Sequence, residues 1–166
     1  MSAAAVIDSL EFASAEQELT GHVPIKNLKR LADLLLDNEG NISFELHGSH
    51  DHLHRPLLKL HVWGLLQLRC QRCLEKLDYP LDFDSELLVV PQGSRPEDAA
   101  DATAPDYLEA DAELNVSSLI EDEVLLSLPF SSRHEYACEE KLGREETEER
   151  ASPFASLAAL KNPGKR

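Results

Sequence analysis

The stretch PLLKLHVWGLLQLRCQRCLEKLDYPLDFDSELLVV, residues 56 to 90, predicts the centre of the fold. Its first half places one set of residues on a single face: Leu58, Leu60, Val62, Gly64, Leu66, Leu68 and Cys70. Its second half repeats this alternation with Leu77, Tyr79, Leu81, Phe83, Leu87 and Val89. A period of two is typical of half-buried strands. The stretch therefore predicts a long antiparallel hairpin that reverses near Gln71 and Arg72.

Further elements are predicted on both sides of this hairpin. Residues 18–25 and 41–47 have the pattern of strands, and residues 116–128 have the apolar stripe of a helix. Residues 26–37 also have helical spacing, with these residues on one face: Leu28, Leu31, Leu34 and Leu35. The expected class is α+β, an antiparallel sheet around the central hairpin packed by two main helices. The alternation within one strand does not show which strands pair with it. The sequence therefore does not decide whether the sheet closes into a barrel.

The domain organisation follows from composition. Residues 1–138 are predicted to form a single α+β domain. It includes an acidic, proline-containing loop near residues 91–106 that lacks large apolar residues and is expected to be disordered. Residues 139–166 are predicted to be a flexible charged tail with a short apolar helical segment near residues 153–161.

Charge limits the classes of partner. The chain has 16 Lys and Arg against 31 Asp and Glu, a formal net charge of −15. Most affinity for nucleic acid comes from Lys and Arg, so such a surface repels phosphate backbones. Basic proteins would be attracted instead.

The cellular compartment is predicted from the first residues and the cysteines. Residues 1–12 lack the basic start and apolar stretch of a secretory leader, and no apolar run approaches the length of a membrane span. The chain has three cysteines, an odd number that favours reduced thiols over a disulfide framework. The expectation is a cytoplasmic protein with no membrane partner.

The pair Cys70 and Cys73 has the spacing with which two thiolates bind one zinc ion. The segment HEYAC, residues 134–138, offers two further candidate ligands, His134 and Cys138. The same thiols could instead form a redox-responsive disulfide, although CxxC redox pairs usually lie at a helix N-terminus. A third interpretation is that the cysteines are small residues at a turn. No cofactor is predicted, and zinc binding is left open.

Catalytic motifs are absent from the sequence. It contains no GxSxG elbow, P-loop, HExxH helix or GxGxxG turn. The acidic triplet Glu121, Asp122 and Glu123 lies on a predicted helix, where successive side chains splay about 100° apart and do not converge on a substrate. Stabilisation of the first helical turn, or docking of basic side chains, fits the triplet better than a catalytic role does. We expect neither an enzyme nor a small-molecule substrate.

Three linked motifs, CQRCLEKLDYPL, LIEDEVLLSLPF and SPFASLAALK, resemble the YceD family of large ribosomal RNA subunit accumulation proteins. The resemblance implies a bacterial factor without enzymatic chemistry that supports accumulation or processing of 23S rRNA during large-subunit assembly. Some relatives carry a second cysteine pair after the acidic helix, where this chain has Cys138 with His134 nearby. The positions that match the family pattern are Cys70, Arg72, Cys73, Leu74, Glu121, Asp122, Glu123, Phe154, Leu157 and Leu160.

Charge and resemblance together lead to one functional hypothesis. The acidic half would bind a basic ribosomal protein or a large-subunit assembly intermediate, while the hairpin side could contact precursor rRNA. The expected partner-binding residues are Arg72, Lys76, Glu121, Asp122, Glu123, Phe154 and Leu157. The alternative is a zinc-stabilised or thiol redox-responsive protein that uses Cys70 and Cys73.

Overall fold

The computed structural model describes residues 5–96, 105–135 and 138, and it confirms the α+β class. The strands are β1 (Val6–Ile7), β2 (Glu18–Pro24), β3 (Asn41–His50), β4 (Pro56–Arg69), β5 (Lys76–Val90), β6 (Asp106–Glu109) and β7 (Leu114–Asn115). The helices are α1 (Ser9–Ser14) and α2 (Val116–Ser127). The main sheet has the order β2-β3-β4-β5-β6, and β1 pairs separately with β7. Within the described ranges the edge strands β2 and β6 do not pair, so the sheet is open.

The central hairpin is confirmed. β4 pairs antiparallel with β5 from Arg69 opposite Lys76 to Leu57 opposite Leu88. The inward residues of β4 are at most 2% exposed: Leu58, Leu60, Val62, Leu66 and Leu68. The period of two thus predicted the inward face of β4, although Leu57 at the start of the other face is buried as well.

The helix predicted over residues 26–37 is wrong. The segment contains only a 3-10 turn, Ile25–Asn27, followed by further turns. Two donors that a helix would use internally, the N–H groups of Arg30 and Leu31, donate instead to the Glu121 carboxylate (2.6 and 3.4 Å). Farther along, the Leu36 N–H donates to the Gln67 carbonyl of β4 (2.6 Å). Tertiary hydrogen bonds therefore replace several of the helical ones, although the Leu35 N–H still donates to the Leu31 carbonyl (3.2 Å); tertiary contacts override the helix propensity of this segment.

The other helix of the fold, α1, lies where none was predicted. Its N-cap is Asp8, whose side chain accepts hydrogen bonds from the N–H groups of Leu10 and Glu11 (3.0 and 2.9 Å). Phe12 and Ala13 are buried in the core. A helix of 6 residues is too short to show a clear apolar period, which explains why the sequence did not reveal it.

Gly48 of β3 allows α1 to approach the sheet. A Cβ atom added at Gly48 would lie 2.2 Å from the Phe12 carbonyl oxygen and 2.9 Å from the Ala13 Cα. Both contacts are with backbone, which cannot move without moving α1. The glycine is therefore required for this packing.

Substitution of Gly48 by alanine tests this contact. We expect Gly48→Ala to lower the free energy of unfolding by about 1–3 kcal/mol, as overpacking typically does. Gly64→Ala is the control, because its added Cβ would have no neighbour closer than 3.4 Å. Urea unfolding followed by circular dichroism measures both, and equal stability of the two variants would contradict the predicted clash.

The prediction for α2 is confirmed to within one residue at its C-terminus. Asn115 caps the helix by accepting the Ser118 N–H (3.1 Å). Leu128 is extended because it precedes Pro129, and the helix ends there. None of the helices in the described part of the chain could cross a membrane.

The predicted acidic loop is ordered at its two ends. A turn follows β5, with the Ser94 N–H donating to the Pro91 carbonyl (3.0 Å). β6 then pairs in parallel with the last residues of β5, from Leu87 opposite Asp106 to Val90 opposite Glu109. This strand was not predicted. Residues 97–104 lie outside the described residues.

Candidate metal centre

The β4–β5 hairpin ends in a turn that carries both cysteines of the CxxC motif. The Leu74 N–H donates to the Cys70 carbonyl (2.8 Å), and the Cys70 N–H donates to the Glu75 carbonyl (2.9 Å). Leu74 has a φ of 63°, which lies in the left-handed region that non-glycine residues rarely adopt. This turn leaves Cys70 buried and Cys73 half-buried.

Backbone N–H groups surround the Cys70 sulfur. Burial raises the pKa of this thiol, but hydrogen bonds from the N–H groups of Cys73, Arg72 and His134 outweigh it and lower the pKa to about 5. Such donors stabilise the thiolate more than the thiol. The turn therefore favours a thiolate at Cys70, which is the form that binds metal ions.

The segment that follows α2 crosses the hairpin tip. The Gln71 N–H donates to the Ser132 carbonyl (2.8 Å), which joins the two segments. The His134 Nε2 atom lies 2.9 Å from the Lys76 carbonyl oxygen. A carbonyl oxygen only accepts, so Nε2 carries the proton and Nδ1 presents its lone pair to the cysteines.

Four donor atoms converge at this point, from Cys70, Cys73, His134 and Cys138. The Sγ atoms of Cys70 and Cys138 are 3.7 Å apart. The His134 Nδ1 atom lies 3.5 Å from the Cys73 Sγ and 3.4 Å from the Cys138 Sγ. All four donor atoms lie within 4.8 Å of one another. The structure thus brings together the four residues that the sequence indicated as a ligand set.

The crowding of the three sulfur atoms affects their ionisation. Burial raises the pKa of the Cys138 thiol, and the neighbouring Cys73 and Cys70 sulfurs raise it further. Like charges at such distances disfavour one another. The Cys138 thiolate is therefore disfavoured beside the other sulfurs, and a bound cation would offset this repulsion.

The two predicted basic residues lie beside this cluster. Arg72 is exposed at the tip of the turn. Lys76 begins β5, and its Nζ atom lies 3.2 Å from the Asp78 carboxylate. The charge of Lys76 is therefore partly compensated within the chain, whereas the position of Arg72 leaves it accessible to a partner.

The acidic triplet lies in the second turn of α2, so the prediction that it stabilises the first turn is wrong. Glu121 is 8% exposed, and its carboxylate also accepts from the Arg30 Nε (3.0 Å). Asp122 binds the same guanidinium, and the carboxylates of Asp122 and Glu121 raise the pKa of Arg30. Glu123 accepts from the Ser85 hydroxyl (2.6 Å). The triplet therefore joins α2 to the segment before β3 and to β5, and its binding of a partner stays a prediction.

The remaining predicted partner-binding residues, Phe154 and Leu157, lie outside the described residues, as does Leu160. Their role stays a prediction.

A second feature, which the sequence did not reveal, is the outward side of β4 and β5. We use the name acidic sheet face for five of the outward residues, His61, Trp63, Asp82, Asp84 and Glu86; Lys59 borders the face and pairs with Glu86. The His61 and Trp63 rings stack with centroids 4.9 Å apart. The His61 Nδ1 atom lies 2.8 Å from the Asp84 carboxylate, and Trp63 is opposite Asp82 in the register. Alternation alone indicated which residues point outward, but only the register shows that they are neighbours.

Comparisons with known proteins agree with the resemblance seen in the sequence. The family model described as Large ribosomal RNA subunit accumulation protein YceD matches residues 58–161, a span that contains all four residues of the candidate centre. A protein of Haemophilus influenzae with the same description is 27% identical over 167 residues, covering 93% of this chain and 94% of the relative. No solved structure matches the chain with significance. Because the family match spans more than half of the sequence, this chain belongs to the YceD family.

Proposed function

We propose that this protein is a non-enzymatic ribosome biogenesis factor that supports 23S rRNA accumulation or processing by binding a basic ribosomal protein. The family description and the name of the Haemophilus influenzae relative support a role connected with large-subunit rRNA. The family name describes an accumulation factor and refers to no enzymatic activity. A role in ribosome assembly implies action in the cytoplasm.

The acidic sheet face is the observation that carries the protein-binding part of the proposal. The Asp82 and Asp84 side chains are 75% and 84% exposed, and Trp63 is 36% exposed. An arginine side chain can stack on a tryptophan ring and at the same time donate to a carboxylate. A Lys/Arg-rich segment laid across β4 and β5 would therefore find a cation–π surface next to carboxylates, and the net charge of −15 would attract it from a distance.

Direct binding of precursor rRNA is the weaker possibility. The Lys59 Nζ atom lies 3.0 Å from the Glu86 carboxylate, so this cation of the hairpin already has an anionic neighbour. Lys76 is likewise close to Asp78. We propose that RNA contact, where it occurs, is limited to the hairpin tip near Arg72 and depends on the protein partner for affinity.

Substitutions on the acidic sheet face test this proposal. We expect the triple variant Trp63→Ala, Asp82→Asn, Asp84→Asn to bind basic large-subunit ribosomal proteins at least about 10-fold more weakly, which corresponds to about 1.4 kcal/mol. Isothermal titration calorimetry against purified ribosomal proteins at several salt concentrations measures this. The matched control is Glu11→Gln, Glu113→Gln, which removes the same number of charges from exposed positions elsewhere.

The outcomes separate the proposed partners. A basic protein partner on the acidic sheet face is supported if salt weakens binding and the triple variant binds more weakly than the wild type, while the control variant binds as tightly as the wild type. Binding that salt does not change, or tight binding to naked precursor RNA alone, would contradict it. Cells depleted of the protein should accumulate less large-subunit rRNA, and normal ribosome profiles in such cells would exclude the wider function.

A further inference from the structure

We propose that Cys70, Cys73, His134 and Cys138 bind one Zn²⁺ ion that fastens the segment after α2 to the tip of the β4–β5 hairpin. The inference is independent of the ribosomal role, because it concerns the metal content and stability of the chain.

The donor distances match a tetrahedral ion. With Zn–S bonds of about 2.3 Å and Zn–N bonds of about 2.0–2.1 Å, tetrahedral geometry separates two sulfurs by about 3.8 Å and a sulfur from a nitrogen by about 3.5 Å. The Cys70 and Cys138 sulfurs are 3.7 Å apart. The two measured sulfur–nitrogen distances, from His134 Nδ1 to the Cys73 and Cys138 sulfurs, are 3.5 and 3.4 Å. Three of the six donor–donor distances therefore have the values of a tetrahedral zinc site, and all six are within 4.8 Å.

The surroundings of the donors also suit a metal site. The hydrogen bond from His134 Nε2 to the Lys76 carbonyl holds the ring in the orientation that directs Nδ1 at the sulfurs. A second hydrogen bond of this kind accompanies most metal-bound histidines. N–H groups of the turn likewise point at Cys70, as they would at a bound thiolate. The donors are thus oriented by the fold itself.

The donor types select the metal and its role. Three thiolates with one imidazole in a tetrahedron are typical of structural zinc. Four protein ligands leave no open position for water or substrate, so the ion would be structural and not catalytic. Its ligands come from two distant parts of the sequence, the hairpin tip and the segment from His134 to Cys138. Binding would therefore hold these segments together.

The zinc site has a defined consequence for the neighbouring surface. A hollow of about 550 Å³ lies between the start of β5 and the segment after α2, with Tyr79, Pro80, Pro129 and Arg133 among its lining residues. One wall of this hollow is the segment that the ion would fasten. Loss of zinc should therefore open the hollow and expose the start of β5, while β4 and β5 stay paired.

Metal analysis of the untagged, full-length protein tests the proposal. Elemental analysis after dialysis should find one zinc per chain, and removal by a strong chelator should lower the melting temperature. Substitutions of residues that only support metal ligands weaken metal binding by about 10- to 100-fold. Cys73→Ser and Cys138→Ser remove ligands themselves, so each should weaken zinc binding by more than this. His52→Asn is the matched control, because His52 is an exposed histidine outside the cluster and its loss should leave zinc bound.

A fourth variant covers the case in which the serine variants do not fold. His134→Cys offers a fourth thiolate and should retain zinc. Cobalt(II) added to the metal-free wild type should give the intense visible absorption of a tetrahedral, sulfur-rich site. Wild-type protein that is folded without metal and unaffected by chelators would overturn the proposal. So would zinc retained by both serine variants, or reduced metal-free protein that takes up no zinc when the ion is added back.

Discussion

Leu31→Ala is expected to lower the free energy of unfolding by about 2–5 kcal/mol, the usual cost of removing a buried leucine side chain. Leu31 is 0% exposed and belongs to the main core cluster, although its backbone lies in a turn. The cost arises from lost apolar burial and from the cavity left against a sheet and a helix that do not move. Urea unfolding followed by circular dichroism and tryptophan fluorescence measures it.

Leu34→Ala is the control that distinguishes the observed turns from the predicted helix. In a helix over residues 26–37, Leu34 would share the buried face of Leu31. In the structure Leu34 is 48% exposed, so its replacement should change stability much less than that of Leu31. Similar losses for both variants would indicate that the helix forms after all and would contradict the backbone described here.

Glu121→Ala is the second substitution with a large expected effect. Its carboxylate accepts the backbone N–H groups of Arg30 and Leu31, which have no helical acceptor in this segment. A buried donor left without an acceptor costs about 1–3 kcal/mol. We therefore expect the variant to lose about 3 kcal/mol of stability and the segment between β2 and β3 to exchange its amide protons faster.

Two neighbouring substitutions check this explanation. Glu121→Gln keeps one side-chain oxygen that can accept both backbone N–H groups, as Oε1 does in the wild type, so it should cost less than Glu121→Ala. Asp122→Asn changes an exposed carboxylate that binds the Arg30 guanidinium and accepts no backbone N–H of that segment within the described residues, and it should change stability little. Equal losses for Asp122→Asn and Glu121→Ala would show that charge, and not acceptance of the two backbone donors, stabilises the link.

The parts of the fold that were predictable are those with long, regular periods. The alternation across residues 56–90 extends over two strands, so it specified the hairpin, its inward face and the place of reversal. α2 was predictable because a capping residue, an apolar stripe and a following proline all agreed. The α+β class followed from these elements.

The parts that were missed depend on contacts between distant residues. The spacing of Leu28, Leu31, Leu34 and Leu35 predicted one buried face, and this was right except for Leu34, which is 48% exposed. Successive turns satisfy the spacing of the other three as well as a helix does. The deciding interaction is with Glu121, which is remote in sequence. β6 is short and pairs in parallel with β5, and the connection between these two strands includes residues outside the described ranges. α1 is shorter than two turns. None of these leaves a clear period in the sequence.

The candidate centre was partly predictable for a different reason. The chain has only three cysteines, so Cys70, Cys73 and Cys138 could be grouped by residue type, and His134 was chosen from seven histidines because it lies four residues before Cys138. Their distances, and the His134 hydrogen bond to Lys76, required the fold. The acidic sheet face was not predictable, because stacking of His61 on Trp63 beside Asp82 and Asp84 depends on strand register.

The pairing of β1 with β7 has a consequence for the order of folding. β2 to β5 are consecutive antiparallel neighbours, whereas Val6–Ile7 pairs with Leu114–Asn115, and the Val116 N–H donates to the Ala5 carbonyl. Closing the larger loop costs more entropy, so the consecutive strands should associate first and α2 should dock late. Until α2 docks, the inner side of the sheet stays accessible to other unfinished chains. Destabilising that last step should therefore promote aggregation before it lowers binding to a partner.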